Sequence, residues 1–156
     1  MKKIDLGQTI AILANIGVIA GIAFLAFELR QNTKLLRAQA GYNLLQNRAG
    51  FRDDVFRDPE LAEFVVRTEG GDVLSEVDQR RVTAQIERTI LNWQWEYGQY
   101  VDGNLAEGEL PIPAIQRTLA GQRGFPGALE VWDSFKYQLR PDFVEFIDGL
   151  RPDSVE

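Results

Sequence analysis

The chain contains no cysteine and no histidine. The first absence excludes disulfides, thiol nucleophiles, and Cys-ligated zinc or iron–sulfur centres. The second excludes His-based triads, imidazole metal ligands and the usual proton shuttle near neutral pH. Positive charge is also short: the net charge of −6 argues against a general nucleic-acid binder. What remains is 45% apolar and 26% charged over 156 residues, enough for one ordinary domain, or for a small domain plus an anchor.

The charge is unevenly placed. Residues 1–48 carry six basic side chains against Asp5 and Glu28, a net +4, whereas residues 49–156 carry −10. A basic N-terminal segment joined to an acidic body points to a membrane or partner contact at the basic end. Within that segment, residues 6–27 hold no charge, and residues 10–27 are apolar except for Asn15. At about 1.5 Å per residue such a run reaches roughly 27 Å, close to the ~30 Å hydrocarbon core. Ile, Val and Phe fall all around the helix and leave no face for water. The expectation is a transmembrane helix over about residues 8–28. A secretory signal fits less well, because the run exceeds the usual ~7–15-residue apolar region and no small-x-small cleavage site precedes Glu28. A buried core helix would need a larger shell than the rest of the chain supplies.

Gly17 and Gly21 stand in GxxxG spacing, with Ala14 one turn earlier. Small residues so placed let two membrane helices approach closely, and the Asn15 amide would seek a partner on a neighbouring helix. Asn15, Gly17 and Gly21 are therefore the candidate helix-packing residues, and other transmembrane helices are the candidate partners. Arg30, Lys34, Arg37 and Arg48 follow the span, against Lys2 and Lys3 before it, which predicts a cytoplasmic C-terminal domain. Arg30, Lys34 and Arg37 share one helix face, where anionic lipid headgroups of the bilayer would meet them. No breaker separates the span from this stretch, so one helix to about residue 49 is expected, with an acidic helical domain over 50–156.

The acidic body reads as a small helical bundle, making the whole chain all-α: a long N-terminal transmembrane and juxtamembrane helix plus that bundle. Asp58-Pro59-Glu60 marks a helix start, and Gly70-Gly71 its end. Ser75, with Asp78 three residues on, opens the best-marked helix, on which Val82, Ile86, Ile90, Trp93, Tyr97 and Tyr100 recur at helical spacing. Pro111 and Pro113 frame another start. Gly121, Gly124, Pro126 and Gly127 form a break, residues 128–139 a further helix, and Pro141 opens a last one reaching Leu150. Most aromatics of the long helix lie on its buried stripe and read as core rather than as a cofactor box. Trp95 lies elsewhere, with Ala84, Leu91 and Gly98, and is the candidate partner surface.

No catalytic, cofactor or metal residue can be named. Glu87 and Glu96 share the long helix, but the Glu-x-x-His partner of a di-iron bundle is missing. No EF-hand loop, GxGxxG or Walker-type motif occurs.

The stretch LAFELRQNTKLLRAQA (residues 25–40), directly after the apolar run, resembles an uncharacterised family of small bacterial proteins. In that family one N-terminal transmembrane helix runs into an "IRQNT"-like segment and a helical domain. Asp58-Pro59-Glu60-Leu61, the aromatic stretch 92–105 and the tail 132–150 resemble it too. Glu-Leu-Arg stands here where Gln-Ile-Arg is usual. The resemblance implies a protein anchored in a bacterial inner membrane and brings no catalytic residues. The expected function is a non-catalytic single-pass membrane protein that serves interaction or assembly, as an accessory subunit of a larger complex, narrowly a respiratory or photosynthetic one. Two alternatives remain. One is a membrane-tethered ligand-binding or enzymatic domain using carboxylates and Arg80, Arg81 or Arg88. The other is a soluble regulator that buries its N-terminal helix in an oligomer.

Overall fold

A computed structural model describes residues 6–121 and 126–151. Lys2, Lys3 and Gly124, used in the reading above, lie outside the described residues. The helices are α1 (Leu6–Arg57), α2 (Pro59–Glu69), α3 (Glu76–Val101), α4 (Ile112–Leu119), α5 (Ala128–Phe135) and α6 (Pro141–Asp148). Two 3-10 turns, Glu107–Glu109 and Lys136–Gln138, complete them, and no strand occurs among the described residues. The chain is all-α. It divides between Gln39 and Ala40 into two compact units.

The first helix corrects the expected end near residue 49, continuing to Arg57. Its isolated glycines are tolerated at about 1 kcal/mol each, and no proline interrupts it. The stop comes from Pro59, whose ring drives the preceding residue out of the helical region. Asp58 accordingly sits at φ −116°, ψ 104°. From there its carboxylate accepts the Glu60 and Leu61 N–H groups at 3.0 and 3.3 Å, capping α2.

In the second unit the core forms where α3 meets α5, α6 and α4. Val82, Ile86, Ile90 and Trp93 of α3 pack with Ile115, Leu119, Trp132, Phe143 and Ile147. Trp132, Phe143, Ile90 and Ile147 are wholly buried. Trp132 meets Phe143 edge-on at 6.0 Å, and Tyr97 stacks on Phe146 at 4.8 Å. The indole N–H of Trp132 donates to Asp148 Oδ1 at 2.8 Å, fastening α5 to α6. On α1, Ala40 and Leu44 are buried within this unit.

Two further boundaries differ from expectation. The helix expected over 128–139 tightens into 3-10 geometry after Phe135, and α6 stops at Asp148, leaving Leu150 in a turn. Helix ends commonly close in this way, with i to i+3 bonds satisfying the last carbonyls.

Candidate functional site

Within the first unit, every residue from 7 to 39 is exposed except the half-exposed Thr33. Ile16, Ile19, Ile22, Phe24 and Leu25 all lie open to the surroundings. A fully exposed helix of mean hydropathy 2.5 over its most apolar 18 residues is long and apolar enough to cross a membrane. Asn15, Gly17 and Gly21 lie in this run, and a methyl group built on either glycine meets nothing within 4 Å. Arg30, Lys34 and Arg37 are exposed beyond it. Thr33 Oγ1 donates to the Leu29 carbonyl at 2.9 Å, a bond within the helix.

Within the second unit the most informative group is an ion pair that the sequence reading did not find. Glu96 is buried, its side chain only 3% exposed, and Arg48 binds it in a fork. Arg48 Nε and Nη2 donate to the two carboxylate oxygens at 3.2 and 2.8 Å. Nη2 also donates to the Glu109 carbonyl at 2.6 Å, and the Glu109 carboxylate accepts the Ala106 N–H. One guanidinium thus joins α1, α3 and the turn after α3. The available signal was the position of Glu96 between Trp93 and Tyr97 on the apolar stripe, since a carboxylate on a buried face demands a partner.

Beside this pair opens a cleft of about 590 Å³ of mixed lining, in which Arg48, Arg52, Arg88, Asn92 and Glu96 meet apolar groups such as Phe51 and Trp93. A neighbouring groove of about 410 Å³ is bordered by Asp54, Asp58, Glu60, Arg81 and Arg88. Arg88 faces both, with Nη1 3.7 Å from Asp54. The structure therefore brings Arg81 and Arg88 to one groove, whereas Arg80 pairs loosely with Glu76 at 4.0 Å and borders neither. Glu87 is half-buried and does not border the cleft. Trp95 is half-buried, while Ala84 and Leu91 of the same face are exposed.

Two other charged clusters are structural in character. Buried Asp78 accepts from Ser75 Oγ at 2.9 Å and from Arg67 at 3.1 Å, tying the end of α2 to the start of α3. Asp148 is held by Trp132, Lys136 and Arg151. Burial opposes its ionisation, but the indole N–H and the two cations outweigh that cost and hold its pKa below the usual value. The hydrogen bond to Asp133, helped by the charges of Asp148 and Asp133, raises the Lys136 pKa despite desolvation. Burial pushes the Tyr97 hydroxyl up, and the Asp142 charge adds to the effect. Among the described residues no group of three or more Asp or Glu side chains is placed to hold a metal ion.

The molecule is thus an all-α protein with one membrane-competent helix and an ion-pair-clasped helical unit. The chain matches no family model, no curated protein and no solved structure.

Proposed function

We propose that the chain is a non-catalytic single-pass protein of a bacterial inner membrane, with its helical domain on the cytoplasmic side serving interaction or assembly. The observation that carries this reading is the exposed, uncharged run 7–27, apolar all round, followed directly by exposed Arg30, Lys34 and Arg37. Leaving so many large apolar side chains in water is untenable at about 25 cal/mol per Å², and a bilayer removes the cost. The basic residues then lie where anionic headgroups attract them. An accessory role in a larger membrane complex, respiratory or photosynthetic in the narrower version, follows from two features. The Gly17 and Gly21 face is open to another membrane helix, with the exposed Asn15 amide on a different side of the same helix, and Trp95 lies on a face with exposed Ala84 and Leu91. The same organisation is what the resemblance to the anchored bacterial family implies.

A second reading has its own support. The cleft at Arg88, Arg52 and Asn92 sets charged and amide groups beside the core residue Trp93 and has a volume in the range of small-ligand sites. On that reading the domain is a membrane-tethered binder of a small polar molecule.

Alkali-washed membranes and a mild-detergent pull-down of the chain tagged at Glu156 test both. Retention in the washed membrane with a stoichiometric set of membrane subunits is the expected result. A chain that washes off defeats the anchored reading. A chain retained alone, whose thermal unfolding is raised by a small anion, favours the second.

A further inference from the structure

The segment of α1 within the second unit has two faces. Ala40 and Leu44 point into the core. At 100° per residue, Tyr42, Leu45, Ala49, Arg52 and Phe56 fall on the opposite face. Tyr42, Leu45 and Phe56 are 62%, 68% and 91% exposed. These five positions are spaced three and four apart, as a and d sites of a heptad, and in sequence the same register runs back through Ala38 and Leu35. An aromatic side chain buries ~150–250 Å² when covered, so Tyr42 and Phe56 together leave roughly 300 Å² open. The two rings lie about 21 Å apart along the helix, with exposed Leu45 between them, so the apolar face is a stripe rather than one patch.

We infer that this face pairs with the same face of a second copy of the chain, as a parallel, in-register two-helix seam. The inference deepens the membrane-anchored reading and rests on it. Copies inserted in one bilayer with one orientation run parallel, so identical layers meet at identical depth, and confinement raises their effective concentration. Charge selects a self-pair as well. Arg52 at a d site meets its twin across the seam, and the adjacent e site holds Asp53. In a parallel pair each d residue packs into a hole that includes the partner's e residue, so each Arg52 meets the other copy's Asp53. Both side chains are exposed in the single chain. The seam also borders the cleft beside the Arg48–Glu96 pair, whose lining includes Leu45, Ala49, Arg52 and Asp53. A second copy would therefore stand at the mouth of that cleft.

The cysteine-free chain is ready for the test. Single cysteines are placed at Tyr42, Leu45 and Ala49, and at the exposed off-seam positions Leu36 and Asn43, in the full-length chain in native membranes. After mild oxidation, non-reducing gels should show a band at twice the 17.6 kDa chain mass for Tyr42→Cys, Leu45→Cys and Ala49→Cys. Leu36→Cys and Asn43→Cys should remain monomeric. Adding Phe56→Glu to Ala49→Cys should reduce the band. Cross-links strongest at Leu36 and Asn43, or at no position, overturn the seam. Because every variant changes an exposed side chain, loss of fold is checked by unchanged helical circular dichroism. An alkali wash of the same membranes separates the two claims. A chain retained without cross-links defeats the self-pair alone, whereas a chain washed off defeats the anchored reading.

Discussion

The cost of a single change in this protein depends on which member of a pair is left behind. Glu96 is buried and Arg48 is 42% exposed, so the two are not equivalent. Removing the arginine strands a carboxylate in the interior, whereas removing the carboxylate lets the arginine turn to water while keeping its bond to the Glu109 carbonyl. Breaking a wholly buried pair costs about 3–5 kcal/mol, and the exposure of Arg48 discounts that range. Arg48→Met is expected to destabilise the second unit by about 2–3 kcal/mol, and Glu96→Gln by about 1 kcal/mol. Urea unfolding followed by tryptophan fluorescence reads this directly, because Trp93, Trp95 and Trp132 all lie in that unit. Equal effects from the two variants would show that burial does not set the cost. Asp148 gives a pH signature. Its pKa is depressed in the fold from an ordinary 3.8, so its stabilising contribution is present above pH 3.8. That contribution is lost as the pH falls through the folded value, where protonation removes the charge that Lys136 and Arg151 bind. Asp148→Asn should therefore be less stable than the parent at pH 6 and approach it as the pH drops below 3.8. A constant difference across acid pH would count against this account.

At the scale of elements, local chemistry in the sequence announced most starts, and the end of α2 at Gly70-Gly71, but not the end of α1. Asp58-Pro59 and Ser75 declare α2 and α3 because a capping oxygen and a fixed proline φ act within three residues. The Ser75 cap is double: its Oγ accepts the Asp78 N–H at 3.1 Å and also donates to the Asp78 carboxylate, which in turn binds Arg67. Ser75→Ala should cost about 1–2 kcal/mol, the upper part of the capping range, in the same urea assay. Ser75→Asp should recover less than a simple cap would, because it sets a second carboxylate against Asp78. The buried stripe of α3 was legible from its spacing, and the exposed apolar run of α1 from its composition. The end of α1 was not, because the helix runs through Gly50, just past the expected end, and the stop is imposed only by Pro59. The cleft was not legible either. It forms where side chains from α1, α3 and α4 converge, and a pattern read along one helix carries no information about which other helix faces it. Trp95 shows the same limit: its position off the stripe was readable, its half-burial was not.

For the whole molecule, the decisive quantity is the free energy of putting residues 7–27 into hydrocarbon. Ile, Val, Leu and Phe each favour the centre of a membrane helix by about 0.3–0.6 kcal/mol, and an arginine there costs about 2.5–3.5 kcal/mol. Ile16 and Ile19 lie near the middle of the run and are exposed. Ile16→Arg with Ile19→Arg should cost about 6 kcal/mol, enough to stop insertion, so the chain should leave the alkali-washed membrane. Leu36→Arg, among the basic residues that follow the apolar run, should leave partitioning unchanged. The small-residue face makes a separate demand. Gly17 and Gly21 have open space above them, so Gly17→Ile with Gly21→Ile fits the lone helix without strain and should not alter insertion. If another membrane helix packs there, the added side chains hold the two backbones apart, and association in mild detergent should fall while membrane retention stays constant. The two pairs of variants thus report different events, the arginines on entry into the bilayer and the isoleucines on what the helix meets once inside. Unchanged association in the isoleucine pair would remove the Gly17 and Gly21 face from the interaction surface and leave that role to the seam at Tyr42 and Leu45 or to the face at Trp95. Unchanged retention in the arginine pair would instead place the apolar run within a protein shell, since only neighbouring chains that absorb two charges could keep such a helix in place.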